Sequence, residues 1–208
     1  MEKKQQDKPL DVVVFSDYIC PWCYVASYRL TQIKAEYQDN INIIWKSFIL
    51  RLNATAPRHP VSQSNRGRER AGEMEPALTF HLWPEDRPMP LSSLPALQAA
   101  KAARAQGQGA FYRMHELLFR AYFIENRNIS DNAVLEEIAC QAELNLAQFR
   151  EVIALPATQE EVMQEYEEAV NKYDINGVPT IIFRGYPLTG AVDIEVYRQA
   201  IEQLRKKK

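Results

Sequence analysis

The sequence predicts an α/β fold with a block of helices set into its middle, and three observations carry that prediction. The β-branched run Val12-Val13-Val14-Phe15, an apolar helical pattern from Pro21 and an alternating run from Ile41 to Phe48 follow one another, which is the order of a β-α-β unit. Two short strand patterns around Arg184-Gly185 and a closing amphipathic segment make a hairpin and a helix near the other end. The residues between these groups, 51–156, hold helical patterns and no strand pattern.

In order, Asp11 to Ser16 reads as a buried strand. In the helix that follows, Ala26, Leu30, Ile33 and Tyr37 share one face, and Pro21 suits a first helical turn, where its missing N–H is no loss. Asp39-Asn40 makes the turn into the second strand. From Leu50 to Pro95 the chain holds seven of its twelve prolines and a polar run, Gln63 to Glu75. This stretch is expected to be an irregular crossing segment, with Arg66 to Arg70 a solvated charge run. Helices are expected at Leu94 to Gln106, Ala110 to Tyr122 and Asp131 to Ala142, the last with Val134, Leu135, Ile138 and Ala142 on one face. Leu146 to Ile153 is a short helical piece stopped by Pro156. Thr158-x-x-Glu161 has the form of a capping box. It opens a helix whose Val162, Tyr166, Ala169, Val170 and Tyr173 form a stripe and which Asn176-Gly177 ends. Thr180 to Arg184 and Tyr186 to Thr189 make the hairpin, and Asp193 caps a last helix that turns Tyr197, Ile201 and Leu204 inward. With 51–156 set aside as an inserted helical domain, residues 1–50 and 157–208 have the element order of a thioredoxin fold.

The 208 residues suffice for one large domain or a domain with an insertion, and 46% hydrophobic with 25% charged residues is the composition of an ordinary soluble globule. A net charge of −2 offers no basis for binding nucleic acid or a membrane surface. Met1 to Lys8 lacks the apolar stretch of a secretory leader, and no segment approaches the roughly 18 apolar residues of a spanning helix. The expectation is a cytoplasmic protein. Three cysteines are too few for a disulfide scaffold.

The chemistry is concentrated in Cys20-Pro21-Trp22-Cys23, between the first strand and first helix, and in Gly177-Val178-Pro179-Thr180, ahead of another strand. A thiol at a helix N-terminus meets free N–H groups and the helix dipole, which favour the thiolate. A second thiol three residues on shares the helical face and can attack a mixed disulfide made by the first. Cys20 and Cys23 are therefore the catalytic candidates. As half of a zinc site they lack partners, since only Cys140 and three histidines remain, at no ligand spacing. Trp22 brings no charge between the thiols, which predicts a pair less oxidising than the strong periplasmic oxidants; it also reads as a surface aromatic offering substrate contact. Asp17 reads first as a capping or turn residue and second as a proton acceptor for Cys23. Pro179 is either an ordinary trans proline opening a strand or a cis proline set against the thiols. Cys140 reads as a semi-buried structural cysteine, and His115 as a structural histidine or one lining a cleft. His59 and His81 take no role.

Ser16 to Tyr24, Ser93 to Leu97 with Ala99 to Ala103, His115 to Phe123 and Gly177 to Thr180 together resemble the DsbA-like thioredoxin family. Within it they are most similar to the cytosolic branch of FrnE-type dithiol oxidoreductases and 2-hydroxychromene-2-carboxylate isomerases. The resemblance spans nearly the whole chain. It implies a thioredoxin fold with a helical insertion, a redox-active Cys20–Cys23 pair and a cis bond before Pro179. It also implies substrate contacts from Pro21, Trp22, Val178 and Pro179, with the Val178 backbone pairing to an extended segment. The implied activity is thiol–disulfide exchange with protein or small-molecule disulfides and dithiols, needing no metal or nucleotide, with glutathione as substrate or reductant. The alternative is a glutathione-dependent isomerase acting on an aromatic small molecule. Related isomerases and kappa-class glutathione transferases commonly carry serine where Cys20 stands, and the retained pair favours exchange.

Overall fold

The structure, a computed structural model, describes residues 8–53 and 60–206, so His59 lies outside the described residues. Strand β1 (Leu10–Ser16) leads through a short loop into α1 (Pro21–Tyr37), a 3-10 turn at Gln38–Asn40 and β2 (Ile41–Ser47). Five helices follow: α2 (Val61–Met74), α3 (Leu94–Arg104), α4 (Gln108–Phe123), α5 (Asn132–Gln141) and α6 (Leu146–Ala154). Helix α7 (Pro156–Tyr173) then returns the chain to β3 (Thr180–Phe183), β4 (Tyr186–Thr189) and α8 (Ile194–Lys206).

The sheet order is β2-β1-β3-β4. β1 and β2 are parallel, Leu10 opposite Ile41 through Ser16 opposite Ser47; parallel neighbours need a crossover, which α1 supplies. β3 is antiparallel to β1 and β4 to β3. Their turn holds Arg184 at φ 47° and Gly185 at φ 90°, the pair of positive angles that a two-residue hairpin turn needs. Pro187 lies on the edge strand, where a missing N–H costs least. The run Val12 to Phe15 is apolar throughout because both faces of β1 are covered. Val12 and Val14 join Leu30 and Ile33 of α1 and Tyr197 and Ile201 of α8. Phe15 joins Ile182 of β3 with Ala169 of α7 and Ile175.

The structure corrects the sequence reading at four places. The stretch expected to be irregular contains α2, and the expected solvated run Arg66 to Arg70 lies within it. Arg68 is 1% exposed. Its guanidinium donates to the carbonyls of His81, Tyr122 and Phe123 and to Asn126 Oδ1, and lies 4.7–5.4 Å from the ring centres of Trp83, Tyr122 and Phe123. A planar cation with fixed donors suits such a site. Pro156 opens α7 instead of only stopping α6, because its fixed φ suits a first helical position. Thr158 consequently sits inside the first turn, where its hydroxyl donates to the Val152 carbonyl and makes no capping box. Finally, α7 ends at Asp174, in the left-handed region at φ 52°, and not at Asn176-Gly177; aspartate is among the few residues that visit that region readily.

Arg29 ties the parts around α1 together. It pairs with Glu75 at 2.9 Å and donates to the carbonyls of Met74, Ala191 and Val192. The middle of α1 is thereby held between the end of α2 and the loop before α8.

Candidate functional site

β1 ends at Ser16, and the chain turns so that Cys20 N–H donates to the Asp17 carbonyl at 3.2 Å. Cys20 is the N-cap of α1, at φ −93° and ψ 116°. Its carbonyl accepts from Cys23 N and Tyr24 N at 3.1 and 3.3 Å, while its side chain makes no cap bond and is left for chemistry. No acidic residue in the first turn opposes the dipole.

The Cys20 thiol donates to the Val178 carbonyl at 3.4 Å, across 158 residues of chain. The Val178–Pro179 bond is cis, with Pro179 buried and Val178 half-buried. Cys23 lies one turn along α1 and is 0% exposed. Burial, and then contact with the Cys20 sulfur, push its thiol pKa up; the Asp17 backbone and the Ser16 hydroxyl oppose the shift. Both thiols are free. Cys20 is itself only 5% exposed, more enclosed than a helix-start position suggests.

The two residues after Cys20 are also packed against neighbours. Gly67 of α2 lies against Pro21, so that a Cβ added there would stand 3.6 Å from Pro21 Cγ. Trp22 is half-buried and packs on Val25, Ala26, Ala71 and Ala191. Its ring fills the contact between α1 and α2 and is not a free surface aromatic.

Asp17 is 0% exposed. Its carboxylate accepts from Ile19 N at 3.0 Å, Leu50 N at 2.8 Å and the Ser93 hydroxyl at 2.6 Å, so it joins the loop before α1 to the chain after β2 and to the start of α3. Burial raises its pKa to about 6 against those three bonds. His115 of α4 stands between two hydroxyls, Tyr18 at Nδ1 and Ser27 at Nε2, both 2.9 Å away. Burial and then Arg104 lower its pKa to about 3, which keeps the ring neutral.

Cys140, expected to be semi-buried, is exposed, because it falls on the outer side of α5. His81 is exposed with Nδ1 against the Ile124 carbonyl. Sequence reasoning passed over Ser27; its only signal is its place one turn beyond Cys23. Among the described residues, no group of three or more His, Cys, Asp or Glu side chains is placed to hold a metal ion. A cleft of about 550 Å³ opens between α1, β2 and α4, lined by Tyr24, Tyr28, Ile43, Tyr112 and Phe119 among others; neither thiol nor Val178 lines it.

This arrangement has relatives. The Bacillus subtilis protein YwbO is 27% identical over 202 residues, covering 95% of this chain and 98% of its own. The structure of the probable DsbA oxidoreductase SCO1869 from Streptomyces coelicolor matches with a TM-score of 0.80 at 25% identity, over 96% of this chain and 91% of that one. The cytosolic disulfide reductase DsbM from Pseudomonas aeruginosa matches with a TM-score of 0.74 over 95% and 98% of the two chains; its structure with GSH matches at 0.73. At 18% identity the DsbM likeness speaks for the fold alone. Residues 11–202 match the model of the DSBA-like thioredoxin domain, and with nearly the whole chain accounted for in this way the protein belongs to that family.

Proposed function

We propose that the protein is a thiol–disulfide oxidoreductase that exchanges disulfides through Cys20 and Cys23. Its substrates are protein or small-molecule disulfides in the cytoplasm, and glutathione serves as the small thiol that reduces it. The observation that carries this reading is the position of Cys20: at the start of α1, in contact with Cys23 and with the Val178 carbonyl. Pro21, Trp22, Val178 and Pro179 border the thiols and form the substrate contacts, with the Val178 backbone beside an extended segment. Similarity to a probable DsbA oxidoreductase supports the same reading.

In the reducing direction, the Cys20 thiolate attacks one sulfur of the substrate disulfide, and the bond's electron pair leaves on the other. Cys23 as thiolate then attacks the Cys20 sulfur and expels the second substrate thiolate. Two electrons pass to the substrate, and a Cys20–Cys23 disulfide remains for a reductant to open. Aromatic isomerisation is the alternative reading; neither thiol lines the aromatic cleft between α1, β2 and α4.

Reduction of insulin in the presence of dithiothreitol tests the proposal. The wild type should accelerate it; Cys20→Ser should abolish the acceleration, because a hydroxyl is no exchange nucleophile at neutral pH. Cys23→Ala should accumulate mixed disulfides, since attack survives and resolution is lost. An inactive wild type that instead isomerises an aromatic substrate with glutathione, and still does so as Cys20→Ser, would overturn the proposal.

A further inference from the structure

β2 is an outer strand of the sheet, with β1 on one side only. An outer strand leaves a row of backbone N–H and C=O groups without ladder partners. In β2 these belong to the odd-numbered residues. Phe48, just past its end, turns its N–H toward β1 and bonds the Ser16 carbonyl at 3.0 Å, while Ser47 turns the other way. Side chains cover much of the row. Lys34 of α1 donates to the Ile41 carbonyl at 3.0 Å, and Arg104 of α3 to the Trp45 carbonyl at 2.8 Å. Glu165 of α7 accepts the Ser47 N–H at 2.6 Å.

Ile43 is the exception. Its N–H and C=O both point away from β1, and among the described residues neither meets a protein partner. Ile43 is nevertheless only 4% exposed, and backbone groups so enclosed are nearly always paired with protein, water or a ligand.

Ile43 lines the cleft of about 550 Å³ between α1, β2 and α4, a volume in the range of small-molecule sites. Several other polar groups of the cleft are held within the protein. The Ser27 hydroxyl is taken by His115, the Thr31 hydroxyl donates to the Ser27 carbonyl, and Lys34 donates to the carbonyls of Gln38 and Ile41. Apolar surface comes from Tyr24 and Tyr28 of α1, Trp45 of β2, and Tyr112 and Phe119 of α4. Lys34 and Glu116 bring one charge of each sign, so the cleft favours neither an anion nor a cation.

We propose that this cleft binds an uncharged, planar heteroaromatic lactam, a ring whose edge carries an N–H beside a C=O. The lactam C=O accepts from the Ile43 N–H, and the lactam N–H donates to the Ile43 C=O, as a neighbouring strand would. The ring lies among the aromatic side chains, which supply apolar and stacking contact. A ring without that edge would leave both Ile43 groups buried and unmet. A peptide strand does not fit the row, because Lys34 and Arg104 already occupy it on either side of Ile43. Neither thiol lines the cleft, and the proposal does not depend on the exchange reading.

The test uses lumichrome, an uncharged tricyclic lactam whose own fluorescence reports binding. Titrated with the full chain, it should bind with a Kd of about 100 µM or tighter, which ordinary ligand efficiency gives a compound of its size. Its 1,3-dimethyl derivative keeps the ring and lacks the edge N–H groups. It should bind at least about tenfold more weakly. Thr31→Trp fills the cleft from an exposed position, and Tyr28→Ala removes part of its wall. Each should weaken lumichrome binding at least about fivefold, and Thr31→Trp should still reduce insulin at the wild-type rate, which shows that its fold is kept. In an amide NMR spectrum, Ile43 should show the largest shift on adding lumichrome. Equal affinity for the two compounds, undiminished binding in both variants, or an unmoved Ile43 amide would overturn the lactam site. A wild type that binds no lumichrome would overturn it as well.

Discussion

Three cysteines of one chemical type are separated by their surroundings. Cys20 touches the Val178 carbonyl, Cys23 is sealed beneath it with its thiol pKa raised by burial, and Cys140 stands in solvent on α5. Thiolate fraction and access set alkylation rates. In the reduced native protein, Cys140 should therefore be labelled rapidly by iodoacetamide and Cys23 only after denaturation, as read by peptide mass spectrometry. After mild oxidation the same mapping should find a Cys20–Cys23 bond and a free Cys140. Native labelling of Cys23 as fast as that of Cys140, or a dominant disulfide containing Cys140, would contradict this picture of the site.

Among the elements, α2 shows how a helix can hide from pattern reading. Of its residues only Arg68 and Ala71 are buried, so it carries no apolar stripe. An arginine bound to four oxygens and three rings takes the place of the usual leucine. Its Gly67 has no positive φ to protect, and an added Cβ meets Pro21 Cγ at ordinary van der Waals distance. Gly67→Ala should accordingly stabilise the protein by about 0.5–1 kcal/mol, the usual gain of alanine over glycine inside a helix, with exchange activity kept. Gly67→Leu carries further atoms into Pro21. It should destabilise by about 1–3 kcal/mol, as overpacking does, and slow exchange at the adjoining thiol. Urea unfolding and the insulin assay separate the two outcomes; equal behaviour of the two variants would show that α2 does not press on the start of α1.

For the molecule as a whole, two buried groups set opposing responses to acid. Asp17 rises from 3.8 to about 6 on folding, and His115 falls from 6.5 to about 3. The folded state thus prefers protonated Asp17, whose contribution to stability is full below 3.8 and is lost as pH rises through about 6. It also prefers neutral His115, whose contribution is full above 6.5 and is lost as pH falls toward about 3. Between about pH 4 and 6 the two slopes, each about 1.4 kcal/mol per pH unit, have opposite sign and nearly cancel. Asp17→Asn should leave unfolding free energy rising with pH across that window, and His115→Gln should leave it falling. Denaturant melts at several pH values measure both; slopes of the same sign in the two variants would refute the assignment.

What local sequence determined is what depends on neighbours along the chain. The continuous run Val12 to Phe15, the proline at the first position of α1, the Arg184-Gly185 turn and the Asp193 cap each act within a few residues, and each is found where the pattern put it. The Cys-Pro-Trp-Cys segment at a strand–helix junction was legible for the same reason. Tertiary structure decided the state of the polar groups, because their partners come from far away. Asp17 is held by Leu50 and Ser93, His115 by Tyr18 across 97 residues, and Arg68 by α4 and the loop beyond it. A buried polar side chain leaves no periodic mark, since its cost is met by whichever distant donors or acceptors the fold brings to it. For that reason α2, whose buried side chain is Arg68, became visible only in three dimensions.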